Sequence, residues 1–316
     1  MITDGISVVV PVFNSADTIF ELVERISKVL TNEHQKFEII LVDDGSRDES
    51  WKQIVAVSES RSTVVPTRLT RNFGQHNALL CGLRKARFAT TVTIDDDLQH
   101  PPEEIPRLLT RLGEADVVYG APTKQQHGLL RNLASTMTKI ALSGGMGAEN
   151  ARHLSAFRAF RTSLRDGFEG FSAPNVSIDV LLTWATSRFT YIEVEHHPRA
   201  QGTSNYTVRR LLAHALNMIT GFSILPLQIA SILGLSATLF GGGLLAYLLV
   251  RWAIGGVIVP GFTFIASAIV LFGGVQLFAL GLIGEYIARI HVRSMGRPAY
   301  LEDRETESPS APDDPA

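Results

Sequence analysis

Charged residues are unevenly distributed along this chain of 316 residues, and the asymmetry limits the folds it can adopt. Charges are frequent up to Arg210, and between that residue and Glu285 the only formal charge is Arg251. About 20 consecutive apolar residues are enough for a helix to cross the hydrocarbon core of a bilayer. The sequence therefore predicts a water-soluble domain, residues 1–206, followed by a membrane domain.

The apolar half is expected to contain three helices. Residues 207–224 place two arginines beside an apolar helical face, which is typical of an amphipathic helix at the bilayer surface. Within residues 225–290, the segments 225–250 and 257–284 are long and apolar enough to be predicted as transmembrane helices. The turn between them is short, so the pattern indicates a hairpin.

Basic residues flank this hairpin at both ends and determine its predicted orientation. They are Arg209, Arg210, Arg289, His291, Arg293 and Arg297. Because cytoplasmic loops carry an excess of Lys and Arg, we expect the soluble domain and both termini to lie in the cytoplasm. The N-terminus lacks the pattern of a signal peptide. The chain is thus predicted to be a multi-pass protein of an inner or plasma membrane, with residues 291–316 as a cytoplasmic tail that is disordered at its end.

Composition argues against several classes of protein. Lys and Arg total 29 against 31 Asp and Glu, so no basic excess indicates a nucleic-acid partner. The single cysteine, Cys81, excludes an internal disulfide and fits a reducing compartment. Neither G-x-G-x-x-G nor the P-loop motif accompanies the predicted strands, which argues against a dehydrogenase or a P-loop NTPase.

Predicted strands and helices alternate through the soluble domain. The predicted strands are Ile6–Val12, Phe37–Val42, Thr63–Thr70, Thr90–Ile94, Asp116–Tyr119 and Tyr191–Glu195. After the first strand, apolar residues spaced along one helical face predict a helix that Asn14 or Ser15 can cap. Short connections between alternating strands and helices are typical of an α/β fold with a mostly parallel sheet. Ligands bind such sheets beyond the carboxyl ends of the strands.

Three of the predicted strands end in polar residues. Asn14 follows the first strand, Asp43–Ser46 the second and Asp95–Gln99 the fourth. Neighbouring carboxylates repel one another, and their oxygens, with the amide of Gln99, suit a hard ion such as Mg²⁺ or Mn²⁺ that keeps positions open for phosphate. For the acidic stretch taken alone, a solvated turn is the alternative. The coincidence of three polar strand ends favours a ligand site.

Four motifs, in this order, resemble those of the family 2 glycosyltransferases. They are Val10–Asn14 (VPVFN), Val42–Ser46 (VDDGS), Arg71–Gln75 (RNFGQ) and Asp95–Glu103 (DDDLQHPPE). Within that family the chain is similar to the polyprenyl-phosphate glycosyltransferases, such as dolichol-phosphate mannose synthase and the bacterial undecaprenyl-phosphate glucosyl and aminoarabinosyl transferases. The resemblance extends through Pro298 and implies a Rossmann-like nucleotide-diphospho-sugar transferase (GT-A) fold for the soluble domain.

The resemblance also implies roles for the side chains at the first two strand ends. Pro11 and Phe13 would line the nucleotide base. Asp43 would hold the base or the ribose, and Asp44 beside it belongs to the same nucleotide-binding set. From the fourth strand, Asp95 would contact the ribose-phosphate portion.

The rest of the acidic stretch is implied to act on the diphosphate. Asp97 and Gln99 would hold Mg²⁺ or Mn²⁺ there, and Asp96 is included in the nucleotide-binding set. A nucleoside diphosphate is a poor leaving group until a divalent ion neutralises it, so elementary chemistry agrees with this assignment. Asp97 is therefore also predicted to be catalytic.

Two arginines are the expected contacts for phosphate. Arg131 lies on a predicted helix, residues 125–143, whose counterpart in the family lies over the active site; a solvated arginine on the helix face is the alternative. Arg199 begins an Arg-x-x-Gly-x-Ser-x-Tyr segment that the family shares, and its planar fork of donors suits phosphate. Ser204 and Tyr206 add hydroxyls to the same segment.

One departure from the family pattern concerns the general base. Several relatives carry an aspartate just before a Phe-Arg pair, and here that position is Ala156. A phosphate monoester is already anionic near neutral pH and can attack without being deprotonated. Asp179, the nearest spare carboxylate, is interpreted as structural.

The resemblance therefore implies a metal-dependent, inverting glycosyltransferase. It would move one sugar from a nucleotide-sugar donor, a UDP-sugar, to a polyprenyl phosphate acceptor of the undecaprenyl type at the cytoplasmic face of the lipid bilayer, for a cell-envelope glycan or lipid. Relatives imply a homotetramer assembled through the membrane helices.

Two other functions remain as alternatives. The first is a non-catalytic membrane partner that binds nucleotide-sugar or docks a flippase, which Ala156 and Pro122 favour. The second is a processive polysaccharide synthase. Its Gln-x-x-Arg-Trp motif is not matched at Arg251–Trp252, because Leu248 occupies the position of the glutamine.

Overall fold

The computed structural model describes residues 3–122, 153–173, 176–195, 197, 225–254 and 261–303. These residues belong to two compact units. One contains the residues up to 211 together with those from 296 onward, and the other contains residues 212–295.

The first unit is built on a seven-stranded sheet. Its strands are β1 (Thr3–Val12), β2 (Phe37–Asp43), β3 (Val64–Arg68), β4 (Phe88–Thr93), β5 (Val117–Pro122), β6 (Arg158–Arg161) and β7 (Phe189–Val194). Its described α-helices are α1 (Ile19–Asn32), α2 (Ser50–Ser60), α3 (Gln75–Lys85), α4 (Ile105–Arg111) and α5 (Ile178–Ala185). The six predicted strands are confirmed, with ends that differ by a few residues.

The sheet is mixed, in the order β3-β2-β1-β4-β6-β5-β7. β1 pairs in parallel with β2 and β4, β2 with β3, and β5 with β7. β6 is antiparallel to both β4 and β5. The expectation of a mostly parallel sheet is confirmed, since four of its six strand pairs are parallel, and the sheet is mixed because of β6, a strand that was not predicted. It was missed because arginines stand at both of its ends, which is not the pattern of a buried strand.

Apolar helix faces cover the sheet as the hydrophobic spacing predicts. The buried residues of α1 are Ile19, Leu22, Val23, Ile26 and Leu30. The predicted cap of this helix is wrong, because the residue that precedes it is Thr18. Asn14 Oδ1 instead accepts the Arg47 N–H at 2.8 Å, and Ser15 Oγ donates to Phe13 O at 3.3 Å. Both side chains are thus engaged in the loop that precedes α1.

The second unit contains two long helices, α6 (Leu225–Ala253) and α7 (Phe262–Ser294). They approach one another at Gly241, where an added Cβ would lie 3.6 Å from the ring of Phe272. Large apolar side chains are exposed on both helices, including Leu239 and Leu277.

Among the described residues, the stretch Phe272–Ser294 is long and apolar enough to cross a membrane by length and composition. The apolar stretch of α6, Leu227–Gly241, is shorter. A hairpin that crosses the bilayer twice therefore stays a prediction. The predicted interfacial helix, residues 207–224, lies outside the described residues.

Candidate functional site

Three strand ends meet at one edge of the sheet because β2, β1 and β4 are neighbours. The N–H of Asn14 donates to Ser46 Oγ at 2.9 Å, which joins the ends of β1 and β2. The N–H of Phe13 donates to Asp96 Oδ2 at 3.0 Å, which joins the ends of β1 and β4. The polar strand ends singled out in the sequence therefore form one continuous surface.

The end of β1 presents one aromatic ring to this surface. Pro11 is buried in β1 beside Val42 of β2, whereas Phe13, two residues later, exposes 43% of its surface. A large exposed aromatic ring at a polar edge offers a stacking face for a planar ligand.

Asp43, the last residue of β2, is fully buried. Its Oδ1 accepts the N–H of Ser46 at 3.0 Å. Its Oδ2 lies 3.3 Å from Arg68 Nε, an ion-pair contact without the geometry of a hydrogen bond. A buried carboxylate oxygen that lacks a hydrogen-bond donor is costly. Among the described residues no group donates a hydrogen bond to Oδ2, and the Arg68 guanidinium is the positive charge that faces it.

Asp44 holds the loop that precedes α3. Its two carboxylate oxygens accept the N–H groups of Phe73 and Gly74 at 2.7 and 2.8 Å. Burial raises the pKa of Asp44 from 3.8 to about 6, although these hydrogen bonds act in the opposite direction. Gly45 allows the loop to come close, because it has φ of 67° and a Cβ there would lie 2.5 Å from the carbonyl carbon of Arg71. Asp44 thus positions backbone at the site.

At the end of β4, Asp95 and Asp96 have different partners. Gln75 Nε2, in the first turn of α3, donates to Asp95 Oδ1 at 2.6 Å. Asp96 accepts the N–H of Phe13 through its carboxylate, and its carbonyl accepts the hydroxyl of Thr18 at 2.6 Å. Burial raises the pKa of Asp96 above its ordinary value. Asp96 therefore connects the ends of β1 and β4, while Asp95 is oriented by Gln75 of α3.

Asp97 and Gln99 belong to a tight turn. Leu98 between them has φ of 58°, and the N–H of Gln99 donates to Asp97 Oδ1 at 3.1 Å. The carbonyl of Gln99 accepts the N–H of His197 at 2.9 Å. The turn is therefore held through both backbone groups of Gln99, since its N–H bonds to Asp97 and its carbonyl bonds to His197.

The donor chemistry of this turn fits a hard divalent ion. Carboxylate and amide oxygens stand together at Asp95–Gln99, and the one cysteine is buried elsewhere, in α3. In the part of the chain that the structure describes, no group of three or more His, Cys, Asp and Glu residues forms a metal cluster. Mg²⁺ sites of nucleotide enzymes commonly use one or two protein oxygens with substrate phosphates. Asp97 and Gln99 are suited to that kind of site.

The predicted phosphate contacts are not among the described residues. Arg131, Arg199, Ser204 and Tyr206 all lie outside them. The described site is therefore the edge predicted to bind the donor nucleotide and the ion.

A buried ion pair lies behind the end of β4. Arg158 of β6 is 1% exposed, and its guanidinium contacts the Asp179 carboxylate of α5 and donates to Thr93 Oγ1 at 3.1 Å. Tyr119 of β5 also donates to Asp179 Oδ1, at 2.9 Å. The carbonyl of Ala156 accepts the Thr93 hydroxyl at 2.6 Å, which places residue 156 beside this network. These contacts agree with the structural interpretation of Asp179.

Sequence reasoning missed two residues of this region. Gln75 ends the Arg71–Gln75 motif, but nothing in the motif predicts its contact with Asp95. The burial of Arg158 was also missed, although an arginine that follows phenylalanine in a family motif is a signal that could have raised the question.

Comparison with known proteins identifies the family. The sequence model of the family described as Glycosyl transferase family 2 matches residues 7–169 of this chain. An undecaprenyl-phosphate 4-deoxy-4-formamido-L-arabinose transferase from Pseudomonas aeruginosa is 34% identical over 305 residues, covering 95% of this chain and 90% of the relative. The protein of that description from Yersinia enterocolitica is 35% identical over 306 residues, covering 94% and 92%.

Solved structures share the fold of about two thirds of this chain, 69% of its length. Glucosyl-3-phosphoglycerate synthase from Mycobacterium tuberculosis, crystallised with Mn²⁺, UDP-glucose and phosphoglyceric acid, has a TM-score of 0.51 at 19% identity, covering 69% of this chain and 78% of that chain. Its complex with Mn²⁺, UDP and glucosyl-3-phosphoglycerate has a TM-score of 0.52 at 22% identity. At these identities the likeness concerns the fold alone, a GT-A-like α/β nucleotide-sugar transferase fold. The family match and the curated relatives, which cover nearly the whole chain, show that the chain belongs to glycosyltransferase family 2.

Proposed function

We propose that this glycosyltransferase transfers one sugar from a UDP-sugar to a polyprenyl phosphate of the undecaprenyl type, with inversion at the anomeric carbon. The observation that carries the proposal is the single edge formed by Phe13, Asp43 and Asp95–Gln99, in a chain whose curated relatives use undecaprenyl phosphate by name. The end product would be a cell-envelope glycan or lipid.

The nucleotide is held by the ends of β1 and β2. The exposed ring of Phe13 stacks on the base, and Asp43 at the end of β2 holds the base or the ribose, as the resemblance implies. Asp44 keeps the loop Arg71–Gly74 in place beside these strand ends. Asp95, oriented by Gln75, contacts the ribose-phosphate portion.

The diphosphate lies over the turn that contains Asp97 and Gln99. Those two residues hold Mg²⁺ or Mn²⁺, which when bound neutralises the leaving group. One solved structure of the same fold contains Mn²⁺ together with a UDP-sugar, which supports this choice of ions.

The acceptor phosphate is the nucleophile. One of its oxygens forms a bond to the anomeric carbon, and the bond from that carbon to the diphosphate oxygen breaks, so the electron pair leaves with the nucleoside diphosphate. No aspartate base is needed, because a phosphate monoester is anionic near neutral pH. This accounts for Ala156 in the position where relatives carry an aspartate. Arg199 and Arg131 stabilise charge on the incoming phosphate and the diphosphate.

The acceptor explains the membrane helices. Polyprenyl phosphate keeps its reactive group at headgroup level, so a transferase with α6 and α7 in the bilayer meets it from the cytoplasmic face. The exposed apolar side chains of these helices support an integral membrane protein. The resemblance to the polyprenyl-phosphate glycosyltransferases is the ground for proposing a homotetramer.

A donor screen tests the proposal. Full-length protein in detergent is given undecaprenyl phosphate, Mg²⁺ or Mn²⁺ and a panel of UDP-, GDP- and dTDP-sugars. The panel includes UDP-glucose and the UDP derivative of 4-deoxy-4-formamido-L-arabinose, the sugar named in the relatives. We expect metal-dependent release of nucleoside diphosphate together with a glycosylated lipid for one donor. Nucleotide binding without transfer from any donor would favour the alternative, a non-catalytic partner that Ala156 marks.

A further inference from the structure

A short segment after α7 extends the sheet of the first unit. We name Ala299–Asp303 the C-terminal strap. The N–H of Thr70 donates to Leu301 O at 3.0 Å, and the N–H of Asp303 donates to Arg68 O at 2.9 Å. Leu69 and Glu302 face each other as an antiparallel pair between these two bonds. β3 is the edge strand of the sheet, and the strap pairs with its last residue, Arg68, and with the two residues that follow it.

Side chains attach the strap to the last turn of α3. Lys85 Nζ lies 2.6 Å from Glu302 Oε2, and both side chains are about one-third exposed. Arg84 Nη1 donates to the hydroxyl of Tyr300 at 3.3 Å, and its guanidinium lies 5.5 Å from the centre of the Tyr300 ring. Ala299 is 3% exposed. Backbone pairing, an ion pair, a cation–π contact and apolar burial thus hold the same five-residue segment.

The strap also covers the single cysteine of the chain. Cys81 of α3 is fully buried, and burial raises the pKa of its thiol, which interacts with Glu302 and Tyr300. A buried thiol with a raised pKa reacts slowly with alkylating reagents. Reactivity of Cys81 therefore reports whether the strap is docked, independently of any activity.

The residues that the strap contacts are also those that support the nucleotide edge. Arg68, whose carbonyl receives the strap, lies 3.3 Å from the buried Oδ2 of Asp43. The N–H of Leu69 donates to the carbonyl of Asp43 at 2.9 Å. Directly after Thr70 comes the loop Arg71–Gly74, which Asp44 holds.

We propose that the C-terminal strap, anchored by Glu302, is a positioning element of the donor nucleotide site. The docked strap keeps Arg68 against Asp43 and fixes the start of the loop that Asp44 binds. When the strap is released, Arg68 and the loop that follows it are held less firmly and the donor binds less tightly. The residues Asp95–Gln99, which follow β4, stay in place. The proposal rests on the proposed function, since it concerns the nucleotide of that reaction.

A charge exchange in the full-length protein tests the anchor. Lys85→Glu and Glu302→Lys each place like charges together, and the double variant restores an ion pair of reversed sense. We expect each single variant to bind UDP, in the presence of Mn²⁺, about three- to tenfold more weakly, with the double variant close to the unaltered protein. Maleimide labelling of Cys81 should accelerate in both single variants and return to its slow rate in the double variant.

A proline substitution tests the backbone pairing. Asp303→Pro removes the N–H that donates to Arg68, whereas Asp303→Ala keeps it and serves as the matched control. We expect Asp303→Pro to label faster at Cys81, to bind UDP more weakly and to raise KM for the donor sugar with kcat unchanged. Asp303→Ala should have the smaller effect on these readouts, and the difference between the two variants isolates the backbone hydrogen bond.

The outcomes separate the two proposals. Faster labelling of Cys81 with unchanged UDP affinity would make the strap a cover only and would overturn its positioning role. Unchanged labelling and affinity in every variant would overturn docking itself. If the unaltered protein binds no UDP, the proposed function fails and the positioning role fails with it, whereas the labelling rates still show whether the strap docks.

Discussion

At the scale of single residues, the acidic side chains at the strand ends divide by what they touch. Asp44 and Asp96 accept backbone N–H groups and so maintain the shape of the edge. Asp43 is buried with an unsatisfied oxygen, and Asp97 stands in a turn with Gln99. All four carboxylates accept a backbone N–H and so help to shape the edge, and they differ in their burial and in the Gln99 amide that stands beside Asp97.

Asp97→Asn should lower the rate of transfer. The substitution removes a negative oxygen from the predicted ion site while keeping the size of the side chain. We expect kcat to fall on the order of 10²–10³-fold, because a charge at the leaving group is no longer stabilised. The measurement is lipid product formed with and without Mn²⁺, and UDP binding without metal is the control, which should not change. Full metal-dependent turnover in the variant would exclude Asp97 as an ion ligand.

Asp44 should make stability depend on pH. Its folded-state pKa of about 6 exceeds the ordinary 3.8, so the folded state binds the proton more tightly. The corresponding stability is fully present below pH 3.8 and is lost as the pH rises to about 6. The Tm of the unaltered protein minus that of Asp44→Asn should therefore fall across this range and stay constant above it.

Asp48 should show the opposite dependence of stability on pH and therefore serves as a control for the Tm measurement on Asp44. Burial opposes the shift, yet hydrogen bonds from Ser50 lower the pKa of Asp48 below its ordinary value. Its contribution is present above the unfolded pKa and is lost as the pH falls through the folded one. A Tm difference for Asp44→Asn that does not vary with pH would contradict the assignment of its raised pKa.

At the scale of elements, one buried ion pair joins the two halves of the mixed sheet. Arg158 of β6 reaches Thr93 of β4 and Asp179 of α5, and Tyr119 of β5 completes the network. Three elements thus meet at the Asp179 carboxylate, and Arg158 connects it to β4 as the fourth. An uncompensated buried guanidinium is far more costly than an exposed one, so the network depends on that carboxylate.

Asp179→Ala should lower the free energy of unfolding by about 3–5 kcal/mol, because it leaves Arg158 charged and buried. Glu114→Ala breaks an exposed pair with Arg111 and should cost within about 0.5 kcal/mol. Denaturant unfolding of both variants provides the comparison. Equal, small effects would show that the buried pair is not needed. Loss of turnover in Asp179→Asn at full stability would instead make Asp179 a catalytic group.

At the scale of the whole molecule, a nucleotide-sugar transferase unit is joined in one chain to a pair of long apolar helices. α6 and α7 expose large aliphatic and aromatic side chains, which water would not favour. The acceptor that we propose is itself a lipid. The exposed apolar surface and the acceptor chemistry therefore point to the same environment.

Phe278→Arg tests whether α7 crosses the bilayer. Phe278 lies near the middle of α7 and is 68% exposed, whereas Ile290 lies near its end and is 67% exposed. A charge near the bilayer centre costs about 2.5–3.5 kcal/mol on insertion scales, and one near the end can reach the interface. After an alkaline wash, Phe278→Arg should be depleted from membranes, and Ile290→Arg should be retained. Equal retention of both variants would argue against a crossing at this position.

Much of the fold and of the candidate site could be predicted from local sequence. The spacing of apolar residues in α1 predicted its buried face, because a helical repeat depends only on near neighbours. The polar residues after the first, second and fourth strands were recognisable as a site, since parallel strands place such ends at one edge. The four motifs led to the family in the same way, each within a few consecutive residues.

Only the tertiary structure decided which remote residues meet. The sequence alone determined neither that Arg158 lies in a strand and is neutralised by Asp179, nor that the strap pairs with Arg68 and Thr70. Whether a charge can be buried, and whether a terminal segment pairs with a strand end, depends on interactions between residues far apart in the chain. No local pattern carries that information, because the compensating group is present only after folding.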